Sequence, residues 1–115
     1  MNKIVLLGRL VKDPELRVVE GSDKVYTKFT IAVSRNYKSS NGERKADFIP
    51  VIMWDKRAEI ACKYLNKGDM ISVSGRLITR SYEDKEGKRR YILEVSVEDF
   101  RSVGSSKNSI KENID

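Results

Sequence analysis

The feature that most constrains the fold of this sequence is a two-residue alternation of apolar and polar side chains, which recurs in several short segments. In residues 24–34, Phe29 and Ile31 fall on one side of an extended chain, and the residues between them fall on the other. This period is typical of a β-strand with one buried face. Residues 71–77 and 93–97 alternate in the same way and therefore predict two further strands.

Two more strands follow from shorter signals. Residues 4–7 are a branched apolar run that is interrupted by Gly8, which is typical of a buried strand with a bulge or a close backbone approach. Residues 48–54 predict another strand. Pro50 cannot donate a hydrogen bond to a ladder, so we expect an edge or an irregularity there.

A single helical segment separates the third predicted strand from the fourth. Asp55 is suited to cap its N-terminus, Gly68 is suited to close it, and apolar residues recur at helical spacing between them, at Ala58, Ala61, Cys62 and Leu65. Three strands, a helix and a long hairpin are the layout of the OB-fold. We therefore predict an all-β fold, a five-stranded OB-fold Greek-key barrel with one α-helix between strands 3 and 4.

The length and composition exclude several classes of protein. A chain of 115 residues fits one domain. We assign residues 1–103 to it and expect residues 104–115 to form a mobile tail. Cys62 is the only cysteine and there is no histidine, which excludes an internal disulfide, the usual zinc sites and an imidazole base. No apolar run approaches the length of a membrane span or a signal-peptide core, so we expect a cytoplasmic protein without a cofactor or metal.

The excess positive charge is concentrated in two segments. Of a formal net charge of +6, residues 35–57 contribute +3 and residues 76–90 contribute +3. A concentrated basic surface indicates a polyanionic partner. The cations are Arg35, Lys38, Arg44, Lys45, Lys56 and Arg57 in the first segment, and Arg76, Arg80, Lys85, Lys88, Arg89 and Arg90 in the second.

Aromatic rings are interleaved with these cations, at Tyr37, Phe48, Trp54 and Tyr82. If alternate residues of the third strand point into the barrel, then Phe48, Ile52 and Trp54 point outward. Rings beside cations are what a protein needs to stack on unpaired bases and to neutralise phosphates. Two alternatives stay open at this point. Phe48 and Trp54 could be buried in the core or in a subunit interface, and Tyr37 and Tyr82 could be solvated strand-edge residues. The remaining rings, Tyr26 among them, are assigned to the core or an interface.

Several of these residues also carry a resemblance to a known family. Residues 2–17, NKIVLLGRLVKDPELR, resemble the opening of bacterial single-stranded DNA-binding proteins. YLNKG at residues 64–68 and GRLITRSY at residues 75–82 are similar to the segment around their fourth strand. The resemblance covers residues 2–100.

The resemblance implies sequence-independent binding and protection of single-stranded DNA by a homotetramer, in which first strands pair between subunits. It implies nucleoid-associated roles in replication, recombination, repair or DNA uptake. The family's base-stacking positions fall on Tyr37, Phe48, Trp54 and Tyr82. Cations that face phosphates fall on Lys3, Lys56, Lys67 and Arg80, and the basic segments add Arg35, Lys38, Arg44, Lys45, Arg57, Arg76, Lys85, Lys88 and Arg89. Members carry an acidic C-terminal tip that docks replication and repair enzymes. Residues 111–115 do not resemble it, so tip-dependent partners are not expected.

Two other functions share the predicted fold. A primosomal or other replication accessory protein would act mainly through protein partners, and outward aromatic rings argue against it. An OB-fold nuclease would need a carboxylate cluster for a metal ion. The acidic residues of this sequence are scattered, so we predict a binding protein and not an enzyme.

Overall fold

The computed structural model describes residues 1–38, 40, 42 and 44–104 of the chain. It contains six strands and one helix: β1 (Ile4–Leu10), β2 (Arg17–Val18), β3 (Val25–Lys38), β4 (Arg44–Trp54), α1 (Asp55–Tyr64), β5 (Met70–Glu83) and β6 (Arg89–Gly104). The two-residue β2 was not predicted, so the helix lies between β4 and β5 in this numbering. Strand β6 runs to Gly104, and the rest of the expected tail, residues 105–115, lies outside the described residues.

The strands form one sheet in the order β1-β5-β6-β4-β3-β2, and an additional β1–β3 pairing closes β1, β5, β6, β4 and β3 into a barrel. At the closure, Arg9 pairs with Ala32 and Leu10 with Ile31. Gly8 allows this approach, because a Cβ atom there would lie 2.8 Å from the carbonyl oxygen of Ala32. The predicted five-stranded OB-fold barrel is therefore confirmed.

The barrel core collects the inward-facing residues of the alternating strands. Ile31, Val51 and Met53 have no exposed surface, as the period-two pattern predicts. Helix α1 adds Ala58 and Ala61, whose small side chains are also fully buried. Burial of apolar surface at about 25 cal/mol per Å² is the main stabilising contribution to such a core.

The start of α1 differs from the prediction. Trp54 occupies the N-cap position in an extended conformation, and no side chain caps the helix there. Asp55 is instead the first helical residue, with a left-handed φ of +51°. Its Oδ1 atom accepts a hydrogen bond from the backbone N–H of Val25 at 3.4 Å. The predicted N-cap role of Asp55 is wrong, since its carboxylate joins the helix start to β3.

Pro50 marks the place where the sheet opens. The carbonyl oxygen of Thr30 accepts a hydrogen bond from Val11, so the backbone polar groups of Thr30 point away from its partner Pro50. The missing N–H of Pro50 therefore faces β6. The parallel β4–β6 ladder consists of the pairs Val51–Val95 and Ile52–Ser96, directly after the proline. Beyond this point the β5–β6 hairpin leaves the barrel, and we call residues 78–94 the hairpin arm.

A membrane-spanning helix is absent from the described residues, where α1 is ten residues long. In the same part of the chain, no three or more His, Cys, Asp or Glu side chains form a group that could hold a metal ion. Cys62 is half-buried as a free thiol.

Candidate nucleic-acid interface

The register of β3 and β4 defines an outer surface that turns away from the core. Phe48 pairs with Ala32, Pro50 with Thr30, Ile52 with Lys28, and Trp54 with Tyr26. Paired residues of an antiparallel ladder share one side of the sheet. We call this side of β3, β4 and the adjoining parts of β5 and β6 the binding face.

Large rings are exposed on the binding face. Phe48 retains 65% of its accessible surface and Trp54 retains 38%. Trp54 is less exposed because Tyr26 packs beside it, with the ring centroids 5.4 Å apart and the planes inclined at 42°. The indole is therefore partly covered and partly exposed, and a stacking platform requires exposed ring surface.

Ile52 differs from Phe48 and Trp54 in its exposure. It points outward, as the alternation predicts, but it has no exposed surface. A shallow pocket above β4 is lined by Ile52 together with Tyr26, Lys28, Trp54 and Arg80. The alternation predicted the direction of the Ile52 side chain correctly. It could not predict the loss of exposed surface, which depends on neighbours from other strands.

The hairpin arm brings the second basic segment to the same face. Ser96 pairs with Ile52 on one side and with Arg76 on the other. The same side of the arm carries the pairs Ile78–Glu94, Arg80–Ile92 and Tyr82–Arg90. Tyr82 is half exposed near the end of the arm. Trp54, Phe48 and Tyr82 therefore share one side of the sheet with Arg76 and Arg80.

Carboxylates already engage several of the predicted phosphate ligands. Arg35 donates from Nε and Nη2 to Asp47, with the shortest contact at 2.8 Å, and this hydrogen bond holds the pKa of Asp47 below its ordinary value. The Nε atom of Arg80 donates to Oε1 of Glu94 at 2.5 Å. A neighbouring carboxylate therefore partly offsets the charge of each of these two arginines.

A third ion pair organises the tip of the arm. Arg90 donates to Asp84 at 2.8 Å, and Asp84 also accepts from the backbone N–H groups of Lys88 and Glu86. The Arg90 hydrogen bond, followed by that of Lys88, lowers the pKa of Asp84. Arg89 donates to Ser81 at 3.3 Å. Lys85 and Lys88 lie in this turn, and their side chains are exposed.

The other predicted cations lie on or near several different elements. Arg44 and Lys45 begin β4, and Lys56 and Arg57 lie in the first turn of α1 beside Trp54. Exposed Lys3 directly precedes Ile4, which pairs with Gly75, so it lies next to Arg76 in the ladder. Lys67 lies between α1 and β5, where its backbone N–H donates to Asp13. For Tyr37 and Lys38 the structure describes only their place in β3.

Sequence reasoning missed four residues of this surface. Lys28 and Tyr26 flank the pocket below Trp54, and Lys12 and Arg17 line a neighbouring cleft with Lys28. The signal for Lys28 was present, because the alternation places it opposite the core-facing Phe29. Combining the outward side of β3 with that of β4 would have predicted it.

The chain matches known proteins along most of its length. The model of the single-strand binding protein family matches residues 1–103. The chain is similar to single-stranded DNA-binding protein 3 of Clostridium acetobutylicum, with 48% identity over 111 residues that cover 95% of the chain and 76% of the relative. It is also similar to single-stranded DNA-binding protein 1 of the same organism, with 44% identity over 96% of the chain and 100% of the relative. The single-stranded DNA-binding protein of Streptococcus pneumoniae is 47% identical over 91% of the chain and 67% of the relative.

Proposed function

This chain belongs to the single-strand binding protein family, and from that premise we propose that it binds single-stranded DNA without sequence preference and without chemistry of its own. Residues 1–103 would form the binding domain. The relatives bear the names of DNA-binding proteins and not of replication accessory proteins, so the accessory function is not favoured.

The observation that carries the proposal is the shared orientation of rings and cations on the binding face. Unpaired DNA offers one phosphate per nucleotide and a flat surface on each base. Phe48 and Trp54 expose their rings on the side of the sheet that also carries Lys28, Arg76 and Arg80. We assign base stacking to Phe48, Trp54 and Tyr82, and also to Tyr37 as a sequence-based expectation. We assign phosphate contacts to the cations around them.

The strand directions suggest a path for the DNA. Ile52 and Arg76 both pair with Ser96, so the two residues lie at the same level along the strands. From that level Trp54 lies two residues in one direction along β4, and Tyr82 lies six residues in the opposite direction along β5. At roughly 3.3 Å per residue, the separation along the strands is about 26 Å. Phe48 lies between them. A strand that follows this line would contact the barrel first and the hairpin arm beyond it.

We also propose that the protein is a homotetramer in which β1 pairs with β1 of a second copy. Within the described residues, β1 pairs with β5 along Ile4–Arg9 but with β3 only at Arg9 and Leu10. Its second edge from Ile4 to Gly8 is therefore open, and Val5 and Leu7 expose 66% and 51% of their surface beside it. An open apolar edge is suited to strand addition by another chain.

The proposed setting is the cytoplasmic nucleoid, where replication, recombination, repair and DNA uptake produce unpaired DNA. Family membership supports this assignment. The coating protein would protect exposed bases until a complementary strand is restored.

A fluorescence titration tests the proposal, because Trp54 is the sole tryptophan. Oligo(dT) should quench its emission and bind far more tightly than duplex of equal length. Equal affinity for duplex would refute the stacking mechanism. The path adds a sharper test: Tyr82→Ala should weaken binding of oligomers of about 16 nucleotides but spare those of about 4 nucleotides that quench Trp54. Light scattering on the same samples measures the oligomeric state, and a monomer would contradict the tetramer.

A further inference from the structure

Glu94 is a buried carboxylate on a surface that has to attract a polyanion. Its exposed fraction is 3%, and it lines the cleft beside Pro50 with Lys28 and Thr30. By register it shares the binding face with its partner Ile78. A negative charge here opposes DNA by Coulomb repulsion, so its presence calls for a role other than direct contact.

The partner of Glu94 gives that role. Oε1 of Glu94 accepts the Nε–H of Arg80 at 2.5 Å, while the Arg80 side chain stays 41% exposed. An arginine has five N–H donors, and the Nε–H uses one of them. Within the described residues, no acceptor engages the Nη atoms of Arg80. They remain able to bind a phosphate with the two-pronged geometry of a guanidinium.

We propose that Glu94 is a positioning residue, which holds Arg80 by its Nε–H so that the Nη groups face the phosphates of bound single-stranded DNA. The inference rests on the proposed function. Arg80 lines the pocket with Lys28 and Trp54, so a phosphate held there lies next to the stacking platform. A long side chain that is fixed before binding loses less conformational entropy when the ligand arrives.

The proposal and simple electrostatics predict opposite changes in DNA affinity when the Glu94 carboxylate is removed. Removal of any carboxylate from the face should raise DNA affinity if only charge matters. Loss of the acceptor that holds Arg80 should instead lower affinity. The two effects separate in a pair of variants that change the charge equally and differ in the acceptor.

Glu94→Met and Glu94→Gln form that pair. Methionine fills a similar unbranched volume without a strong acceptor, whereas glutamine keeps a carbonyl oxygen at the position of Oε1. We expect Glu94→Met to bind oligo(dT) about threefold to tenfold more weakly than Glu94→Gln. Glu94→Gln should bind at least as well as the wild type. When log affinity is plotted against log salt concentration, the slope for Glu94→Met should be less steep than that for Glu94→Gln by about 0.7, because one phosphate contact is lost.

The same pair in an Arg80→Ala background separates positioning from structural damage. In that background the difference in DNA affinity between the methionine and glutamine variants should vanish. A second measurement is NMR of the isotope-labelled protein. The Arg80 Nε–H should be protected from exchange with solvent in the wild type and in Glu94→Gln but not in Glu94→Met. Equal affinities of the two single variants would overturn the inference, as would a difference that persists without Arg80. A wild-type protein that does not bind oligo(dT) would refute the proposed function and this inference together.

Discussion

Gly75 is the glycine at which one added methyl group should lower the free energy of unfolding most. It lies at a bulge between β5 and β6, where the register shifts after Ser74, and it pairs with Val97. A Cβ atom at residue 75 would lie 2.0 Å from the carbonyl oxygen of Ser96 and 3.1 Å from Cα of Val97. Both contacts are backbone atoms, so no side-chain rotation relieves them.

The size of the stability loss follows from the backbone shift that the added methyl group would require. Relief of the overlap requires a shift of β6 by about 1 Å, in a close-packed barrel where overpacking typically costs 1–3 kcal/mol and occasionally more. Ser96 bridges Ile52 and Arg76, so its shift disturbs both the β4–β6 ladder and the binding face. We expect Gly75→Ala to lose about 3 kcal/mol or more of the free energy of unfolding.

Urea denaturation followed by circular dichroism at fixed protein concentration measures this loss, since association would otherwise shift the midpoint. Gly104→Ala is the matched control. The nearest atom to its added Cβ is a side-chain carbon 3.8 Å away, which is an ordinary contact, so its midpoint should barely change. If Gly75→Ala loses less than about 1 kcal/mol, the assignment of the bulge and of its tight register is refuted.

Three other perturbations have definite expected outcomes. Asp55→Ala should destabilise the protein by about 1 kcal/mol relative to Asp55→Gly, because only glycine adopts the left-handed φ without strain; equal denaturation midpoints would contradict this. Lys28→Ala should weaken oligo(dT) binding and reduce the salt slope by about 0.7, while Lys63→Ala on the outside of α1 should do neither, as salt titrations would show. The lowered pKa of Asp84 means that its contribution to stability is present above its ordinary pKa of 3.8 and is lost as the pH falls through the lower folded value. In a plot of the free energy of unfolding against pH, Asp84→Asn should therefore lose less stability at acid pH than the wild type. An unchanged acid dependence would contradict a stabilising pair between Asp84 and Arg90.

The strands and the directions of their side chains could be predicted because alternation is a local property. Phe29, Ile31 and Val51 lie in the core that their spacing predicts. The conformation of Asp55 could not be predicted, because its φ follows from the turn between β4 and α1 and from the contact with Val25, 30 residues away. The same holds for the burial of Ile52, which lines a pocket together with Arg80 and Tyr26 from other strands.

The basic surface shows the same division between local and non-local information. The net charge of residues 35–57 is robust, because the pair of Arg35 with Asp47 lies within that segment and both charges are already counted in +3. The net charge of the hairpin depends on where the segment is taken to end. Arg80 pairs with Glu94, which lies outside residues 76–90, and extending the segment to residue 94 lowers its net charge from +3 to +2. Sequence counts therefore predict where a polyanion is attracted. Which cations meet it depends on the pairing of strands, because a carboxylate that lies apart in sequence can reach an arginine across the ladder.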